Sequence, residues 1–196
     1  MEILNSTPAV VPVPMDTKNM KNMKNTKNMK NEKRNDQLYF KSMLEISVLL
    51  LPSQIGSNGK TKENIRQSIE YFVGGKCTVE GYIKPNSIQI QQYTNGMVKL
   101  DKIEFLVVFE CLVCNPVEGM WLNDCKVKSV TKAGIHAHKY DEHQNVPVTV
   151  FVIRDHYAED SVFQKIQEGD TIDVKVLGQR FELNNQYIEV IAELIK

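Results

Sequence analysis

The sequence predicts an α+β fold, in which a β-α-β-β-β domain is followed by a five-stranded barrel. Three observations lead to this prediction. One segment has the pattern of an amphipathic helix, among many segments in which apolar and polar residues alternate as in strands. The helix pattern lies before residues 116–119, and the segments after them have almost only the strand pattern. Of the 196 residues, 42% are hydrophobic. That apolar share is sufficient for one or two globular cores. We therefore expect a tail at residues 1–37, an N-terminal domain at 38–116 and a C-terminal domain at 117–196.

The first domain is expected to begin with a buried strand and a helix. The apolar run "LEISVLLLP" at residues 44–52 ends in proline, as buried strands often do. In "TKENIRQSIEYFVGG", Thr61 is the predicted N-cap, Gly-Gly is the stop, and apolar side chains recur at i, i+4, i+7 and i+8. Those side chains are Ile65, Ile69, Phe72 and Val73. Strands in "KCTVEGYI", "SIQIQQYT" and "KIEFLVVFECLVC" complete the domain, with a tight turn at "NGM".

Four stretches of the second domain have strand character, and the first of them bends at Ala133-Gly134 to make two strands. They are "CKVKSVTKAGIHAHKY", "VPVTVFVIRD", "DTIDVKVLG" and "QYIEVIAELI". A short helical turn is expected around "SVFQKIQEGD", between the third and fourth of the resulting strands. Five strands with a turn at that position are the layout of an OB-fold barrel.

Charge is unevenly distributed along the chain. The tail has seven basic and four acidic side chains, a net of +3, which leaves 17 basic and 20 acidic, a net of −3, for the remainder. A folded part with a net negative charge does not neutralise phosphates over its whole surface. Any nucleic-acid contact is therefore expected to be local or to use the tail. The Lys-Asn-Met repeat of the tail has nothing to bury and predicts disorder. It could help to hold RNA or an acidic partner, or be a product of slippage in an AT-rich coding stretch.

Several function classes are disfavoured by the sequence. No apolar run approaches the ~20 residues that span a bilayer, and no secretory signal pattern begins the chain. The segment "IGSNGKTKEN" lies where a phosphate-binding loop would lie, but Gln54 stands where the first glycine of that loop is required. Neither a Ser-His-Asp set nor paired carboxylates are evident, so an enzyme, such as a nucleotide hydrolase, is the weakest of the candidate classes.

Metal binding was tested on two sets of residues. The cysteines Cys77, Cys111, Cys114 and Cys125 could in principle close a zinc site. The C-x-x-C pair, however, lies inside an apolar strand, where residues three apart point to opposite faces, so structural thiols are favoured. His136 and His138 could reach one metal from one strand face, but no further ligand is placed by the sequence. We expect no metal and no cofactor.

The junction of the two domains carries a recognisable pattern. The long strand runs into x-P-x-x-G at Pro116 and Gly119, and Gly134 follows in the first barrel hairpin, with "VFV" shortly before Arg154. From residue 44 to the C-terminus, this order resembles the stalk subunit of multisubunit DNA-dependent RNA polymerases, the family of the seventh subunit of eukaryotic RNA polymerase II and the archaeal E subunit. The glycine that usually opens the barrel is replaced by Asn-Asp at residues 123–124, and the basic tail is outside the family pattern. The Lys/Asn-rich composition fits a large DNA virus.

The resemblance implies a non-catalytic subunit. Its N-terminal domain would dock on the polymerase core near the clamp, and its OB barrel would touch nascent single-stranded RNA. The implied partners are the largest polymerase subunits, the clamp base and, where one exists, a small helical second stalk subunit, with no membrane partner. A viral protein would be found in the virion and the host cytoplasm, and a cellular one in the nucleus. The alternative is a free-standing OB-fold protein that binds single-stranded RNA.

Docking is expected at the turn "GYIKPN", residues 81–86. Gly81 permits unusual backbone angles, Tyr82 and Ile83 provide an apolar anchor, and proline stiffens the turn. The alternative is that Tyr82 packs into the core of its own domain. The predicted docking residues are Gly81, Tyr82, Ile83, Lys84 and Pro85.

RNA contact is expected on the face of the second and third barrel strands. The basic and flat side chains available there are Lys128, Lys132, His136, His138, Tyr140 and Arg154. The alternate residues His136, His138 and Tyr140 share one side of their strand. Because Ile135 and Ala137 are the better core residues, we expect the histidine row to face outward, and the opposite orientation is the alternative.

Overall fold

The computed structural model describes four parts of the chain. They are residues 11–12, 38–56, 59–154 and 163–195. Most of the tail that was predicted to be disordered therefore lies outside the described residues. Its described part, β1 (Val11–Pro12), pairs antiparallel with residues 44–45, so regular structure is present at these two residues where none was expected.

One long strand organises the N-terminal sheet. This strand, β7 (Lys102–Cys114), has the bounds that the sequence predicted, and one of its edges pairs antiparallel along β2 (Phe40–Leu50). Its other edge pairs with three short strands in succession, and a fourth short strand pairs with the first of these. The short strands are β3 (Cys77–Thr78), β4 (Gly81–Ile83), β5 (Gln89–Tyr93) and β6 (Met97–Lys99).

The short strands differ from the prediction at two points. The stretch "KCTVEGYI" forms the tight hairpin β3–β4 rather than one strand, because the chain turns at residues 79–80. The strand β6 was not expected, and it pairs with the start of β7 across the turn at residues 100–101. Leu100 adopts a left-handed backbone conformation in that turn, with φ of 55°.

The helix α1 (Lys60–Val73) covers one face of this sheet and buries Ile65, Ile69 and Val73, as predicted. Phe72 was wrongly placed on that face, since its ring is exposed and meets the ring of the adjacent tyrosine edge-on. The predicted cap is also wrong. The helix starts from a glycine N-cap, and Thr61 is its second residue, where its hydroxyl hydrogen-bonds the backbone of Gly56. Within the described residues, no helix has both the length and the apolar character needed to cross a bilayer.

The C-terminal domain is a closed five-stranded barrel, which confirms the predicted fold class. Its strands are β8 (Trp121–Val130), β9 (Gly134–Lys139), β10 (Val148–Ile153), β11 (Thr171–Arg180) and β12 (Ile188–Leu194). Around the barrel the order is β8-β9-β10-β12-β11, with β10 and β12 parallel and the other neighbours antiparallel. A 3-10 turn at Phe163–Lys165 precedes β11, where a helical turn was expected.

The core of the barrel continues into the N-terminal domain. Cys77, Tyr82 and Cys114 pack in the same apolar cluster as the inward side chains of the barrel. Two backbone hydrogen bonds cross this joint, from the Cys77 N–H to the Asn185 carbonyl at 2.7 Å and from the Asn184 N–H to the Cys77 carbonyl at 2.9 Å. Because packing and hydrogen bonds both cross the joint, the joint is a packed interface and not a flexible linker, while α1 and the sheet beneath it form a second cluster.

Candidate nucleic-acid interface

The strand β9 places its histidines on the outside of the barrel. Ile135 and Ala137 are fully buried, whereas His136 is exposed and His138 is half-buried. The predicted orientation of this strand is therefore confirmed. The physical reason is that successive side chains of a strand point to opposite faces. When Ile135 and Ala137 are buried in the core, His136 and His138 must therefore face outward.

Neighbouring strands extend the histidine row sideways. On β10, Phe151 lies opposite His136 in the antiparallel register, and the two ring centroids are 5.0 Å apart. On β8, Lys126 lies opposite His138 and is exposed. Cross-strand partners of this kind have side chains in contact, so the row becomes a surface that is several strands wide.

The end of the row is a cationic and aromatic pair. The ring of Tyr140 is 6.0 Å from that of His138, and the ammonium group of Lys128 is 5.7 Å above the Tyr140 ring. We call this surface the barrel face. It consists of Lys126, Lys128, His136, His138, Tyr140 and Phe151. Flat rings interleaved with ammonium groups match the two needs of single-strand binding, which are base stacking and phosphate neutralisation.

The permanent positive charges of the barrel face are those of Lys126 and Lys128. Burial lowers the pKa of His138 below the ordinary value of 6.5, and the charges of Lys128 and His136 lower it further. His138 is consequently neutral at pH 7 and offers a flat uncharged ring. Its Nδ1 atom is buried and has no hydrogen-bond partner among the described residues.

The two other predicted RNA-binding residues lie at the end of the barrel. Lys132 is exposed in the turn between β8 and β9. Arg154 is already engaged, because its Nη2 donates to the Thr131 carbonyl at 2.8 Å and its guanidinium lies 5.3 Å from the ring centroid of the buried Phe163. The structure therefore brings four of the six predicted residues together and uses Arg154 to close the barrel end.

The predicted docking segment requires a correction. Tyr82 is 3% exposed and Ile83 is 0% exposed, and they pack into the two cores of the chain itself. Gly81, with φ of +124°, lets β4 approach the carbonyl of Cys114 on β7 more closely than a Cβ atom would permit. The alternative interpretation is confirmed in that Tyr82 is a core residue, but its cluster is the one shared with the barrel and not that of its own domain. The segment is a strand of the sheet and not an exposed apolar anchor.

Exposed apolar side chains occur instead at the far end of the N-terminal sheet. In β6 and the turn that follows, Val98 is 78% exposed and Leu100 is 99% exposed, and Met97 beside them is also exposed. We call residues 97–101 the tip hairpin. Because β7 spans thirteen residues, the tip hairpin lies about 40 Å along the strand from the joint at Cys114.

The four cysteines are divided between two cores. Cys111 packs beneath α1, whereas Cys77, Cys114 and Cys125 pack at the joint and in the barrel. The strand alternation on which the metal argument rests is confirmed, since Cys111 and Cys114 point to opposite faces of β7. Burial raises the pKa of the Cys77 thiol to about 11 and those of Cys111 and Cys114 to about 12. These groups are protonated at neutral pH, and the thiolate is the metal-binding form.

Two residues of the barrel face were missed in the sequence. Phe151 alternates with buried valines in "VTVFVI", which shows that it faces outward, but only the register of β9 and β10 places it beside His136. Lys126 similarly needs the register of β8. The alternation of apolar and polar residues was sufficient to predict which side chains face outward. Which side chains lie next to each other on the barrel depends on the pairing register of the strands.

A sheet-and-helix domain followed by a closed OB-type barrel defines the chain as a two-domain OB-fold protein. No protein-family model matches the sequence. A protein of Acanthamoeba polyphaga mimivirus, named "Putative DNA-directed RNA polymerase subunit", is 30% identical over 176 residues, which cover 81% of this chain and 82% of that protein. The chain belongs to the same family of DNA-directed RNA polymerase subunits as this giant-virus relative. The predicted resemblance is confirmed to that extent.

Proposed function

We propose that the chain is the non-catalytic stalk subunit of a viral DNA-directed RNA polymerase, and that it supports transcription by contacting nascent RNA. Membership of the polymerase-subunit family supports the assignment. The observation that carries it is that two different surfaces lie apart on domains that are joined by a packed interface. The apolar tip hairpin lies about 40 Å along β7 from the joint at Cys114, whereas the flat basic barrel face lies on the barrel side of that joint. Such a molecule can be held at the tip hairpin and bind RNA through the barrel.

Docking on the polymerase core is assigned to the tip hairpin instead of residues 81–85. The exposed side chains there, Val98 and Leu100, are of the type that interfaces bury at their centre. Their partners would be the largest polymerase subunits at the base of the clamp. A small helical second stalk subunit is a further partner where the polymerase has one, and the assembly would operate in the host cytoplasm and be packaged in the virion.

Co-purification tests the docking end. The full chain, expressed with an affinity tag in infected cells, is expected to recover the large polymerase subunits. Val98→Asp with Leu100→Asp should reduce that recovery at least tenfold, because two charges would be buried without partners. Val79→Asp is the control, since this valine is also exposed but lies in the β3–β4 turn. Recovery by the double variant at the level of the control would contradict docking through the tip hairpin.

Transcript crosslinking in the assembled polymerase tests the RNA end. His136→Ala with Tyr140→Ala removes two stacking rings from the barrel face, and base stacking is worth about 1–3 kcal/mol per base. We expect crosslinks between the barrel and the nascent RNA to fall severalfold. Tyr71→Ala is the control, because this exposed aromatic lies on α1. Wild-type crosslinking in the double variant would make the barrel a purely structural arm.

A further inference from the structure

A cleft of about 400 Å³ lies at the joint of the two domains. It is lined by residues 38–39, Lys84 and Leu112 from the N-terminal domain and by residues 139–142 from the barrel. Two lysines and two carboxylates therefore face one cavity. The hydrogen bonds and ion pairs of these four groups decide which of them is available to a ligand.

Lys84 is a largely buried cation whose one ion pair is long. Its side chain is 11% exposed, and its ammonium group is 3.8 Å from a carboxylate oxygen of Glu142, which is longer than a hydrogen bond. The same ammonium group lies 4.9 Å over the ring of Tyr39. No hydrogen-bond acceptor for it is found within the part of the chain that the structure describes. An ammonium group has three donors to satisfy, so this arrangement leaves capacity for an anion.

The other charged groups of the cleft are occupied. The Asp141 carboxylate accepts hydrogen bonds from the Tyr39 hydroxyl, the backbone N–H groups of His143 and Asn145, and the Asn145 side-chain amide, at 2.8 to 3.1 Å. The ammonium group of Lys139 donates to the Asn123 carbonyl at 2.6 Å. The Glu142 side chain is 83% exposed and can turn into solvent. Lys84 is thus the cation that an incoming anion would meet.

The cleft is continuous with the barrel face. Tyr140 is both the last ring of the histidine row and part of the lining of the cleft. Lys128 stands over that ring on the barrel side, and Lys84 lies on the joint side. A single strand that stacks on His138 and Tyr140 therefore reaches the edge of the cleft that Lys84 also lines.

We propose that the joint cleft is a phosphate-binding site for single-stranded RNA, in which Lys84 contacts one phosphodiester of a strand stacked on the barrel face. This inference rests on the proposed RNA contact and names its path, which runs from the barrel toward the N-terminal domain. The same ammonium group could receive a free phosphate, and the experiment separates the two sources.

Salt dependence of binding measures the contact directly. The full chain is titrated into a fluorescein-labelled oligouridylate over a range of KCl concentrations. For single strands, each lost phosphate contact reduces the slope of log K against log salt by about 0.7. We expect Lys84→Gln to show that reduction, and Lys84→Arg to keep the wild-type slope. Lys62→Gln is the control, because it removes the same charge from an exposed position on α1. Equal slopes for Lys84→Gln and Lys62→Gln would overturn the proposal.

Glu142 provides a test that does not disturb a buried residue. Glu142→Gln removes the anion that faces Lys84, and we expect oligouridylate binding to strengthen about two- to fivefold, the range of an exposed ion pair. Glu168→Gln is the control, since this glutamate is exposed elsewhere on the barrel domain. An increase equal to that of the control would show that Glu142 does not compete with RNA for Lys84, and would count against the site.

The outcomes distinguish this site from the proposed function. An unchanged salt slope in Lys84→Gln, together with weaker RNA binding by His136→Ala with Tyr140→Ala, would rule out the phosphate site in the cleft and still support RNA contact by the barrel face. Unchanged binding in both would remove the RNA contact itself. Inorganic phosphate is titrated in parallel with the thermal midpoint as the readout. Stabilisation by phosphate that is lost in Lys84→Gln, with no change in the RNA slope, would assign the cleft to a free phosphate and overturn the proposal.

Discussion

Substitution of Tyr82 by alanine is predicted to destabilise the whole molecule. The Tyr82 side chain is buried between Cys77 and Cys114, its register partners on the neighbouring strands, in the cluster that the two domains share. Removing a fully buried aromatic ring costs about 3–5 kcal/mol when the site cannot collapse. With a urea m-value of about 2 kcal/mol/M, the midpoint should fall by about 1.5–2.5 M.

Two probes report on the two domains. Trp121 is the single tryptophan and lies in β8 of the barrel, whereas the circular dichroism at 222 nm includes the signal of α1 in the N-terminal domain. Because one core crosses the joint, both probes should give the same midpoint in the wild type and should fall together in Tyr82→Ala. Tyr82→Phe should cost less than about 1 kcal/mol, because the phenol has no hydrogen-bond partner among the described residues.

Tyr71→Ala is the surface control, since Tyr71 is 77% exposed, and it should change stability by no more than about 0.5 kcal/mol. A loss below about 1 kcal/mol in Tyr82→Ala, or a transition of Trp121 that stays at the wild-type midpoint while the helix signal shifts, would refute the shared core. A loss below about 1 kcal/mol would also restore Tyr82 as a candidate surface anchor.

Three further predictions concern other parts of the molecule. Gly81→Ala should cost more than about 1 kcal/mol in urea unfolding, because its φ is +124° and the new Cβ would collide with the Cys114 carbonyl, whereas Gly178→Ala has open space and should cost less. Hydrogen bonds from four donors lower the pKa of Asp141 below 3.8 despite its burial. Its contribution is therefore present above that pH and lost as the pH falls through the folded value, so Asp141→Asn should flatten the acid limb of stability against pH. Elemental analysis should find no stoichiometric zinc, and one zinc per chain that is lost in Cys111→Ser would contradict this.

The elements of the fold that depend on local pattern were predictable. The bounds of β7 follow from an apolar run that ends at Asn-Pro, and the orientation of β9 follows from alternation alone. The closed barrel was predictable from five strand signals in the right order. The hairpin β3–β4 was not, because strands of two and three residues are too short to show a periodicity, and β4 is held by the neighbouring β7.

Features that depend on packing between distant segments could not be predicted from the sequence. Tyr82 has the same local signature whether it anchors a partner or fills a core, and only the approach of the barrel decides between the two. Arg154 was interpreted as an RNA contact from its position after β10. In the folded barrel, its guanidinium satisfies the Thr131 carbonyl and covers Phe163, and both partners come from other segments. The sequence therefore showed which side chains are charged or aromatic, but it did not show which of them are free to contact RNA.

The modest charge of the barrel face fits the proposed task. The chain from residue 38 onward has a net charge of −3, and the barrel face offers only Lys126 and Lys128 beside its rings. Isolated affinity for RNA should thus be weak, with about two to four phosphate contacts in its salt slope. A transcript that emerges from the same polymerase is tethered, however, and tethering turns binding into an intramolecular step at millimolar effective concentration. Weak contacts are sufficient there, and they let the strand slide as it grows. A stalk with tight RNA binding would retard the transcript that it guides.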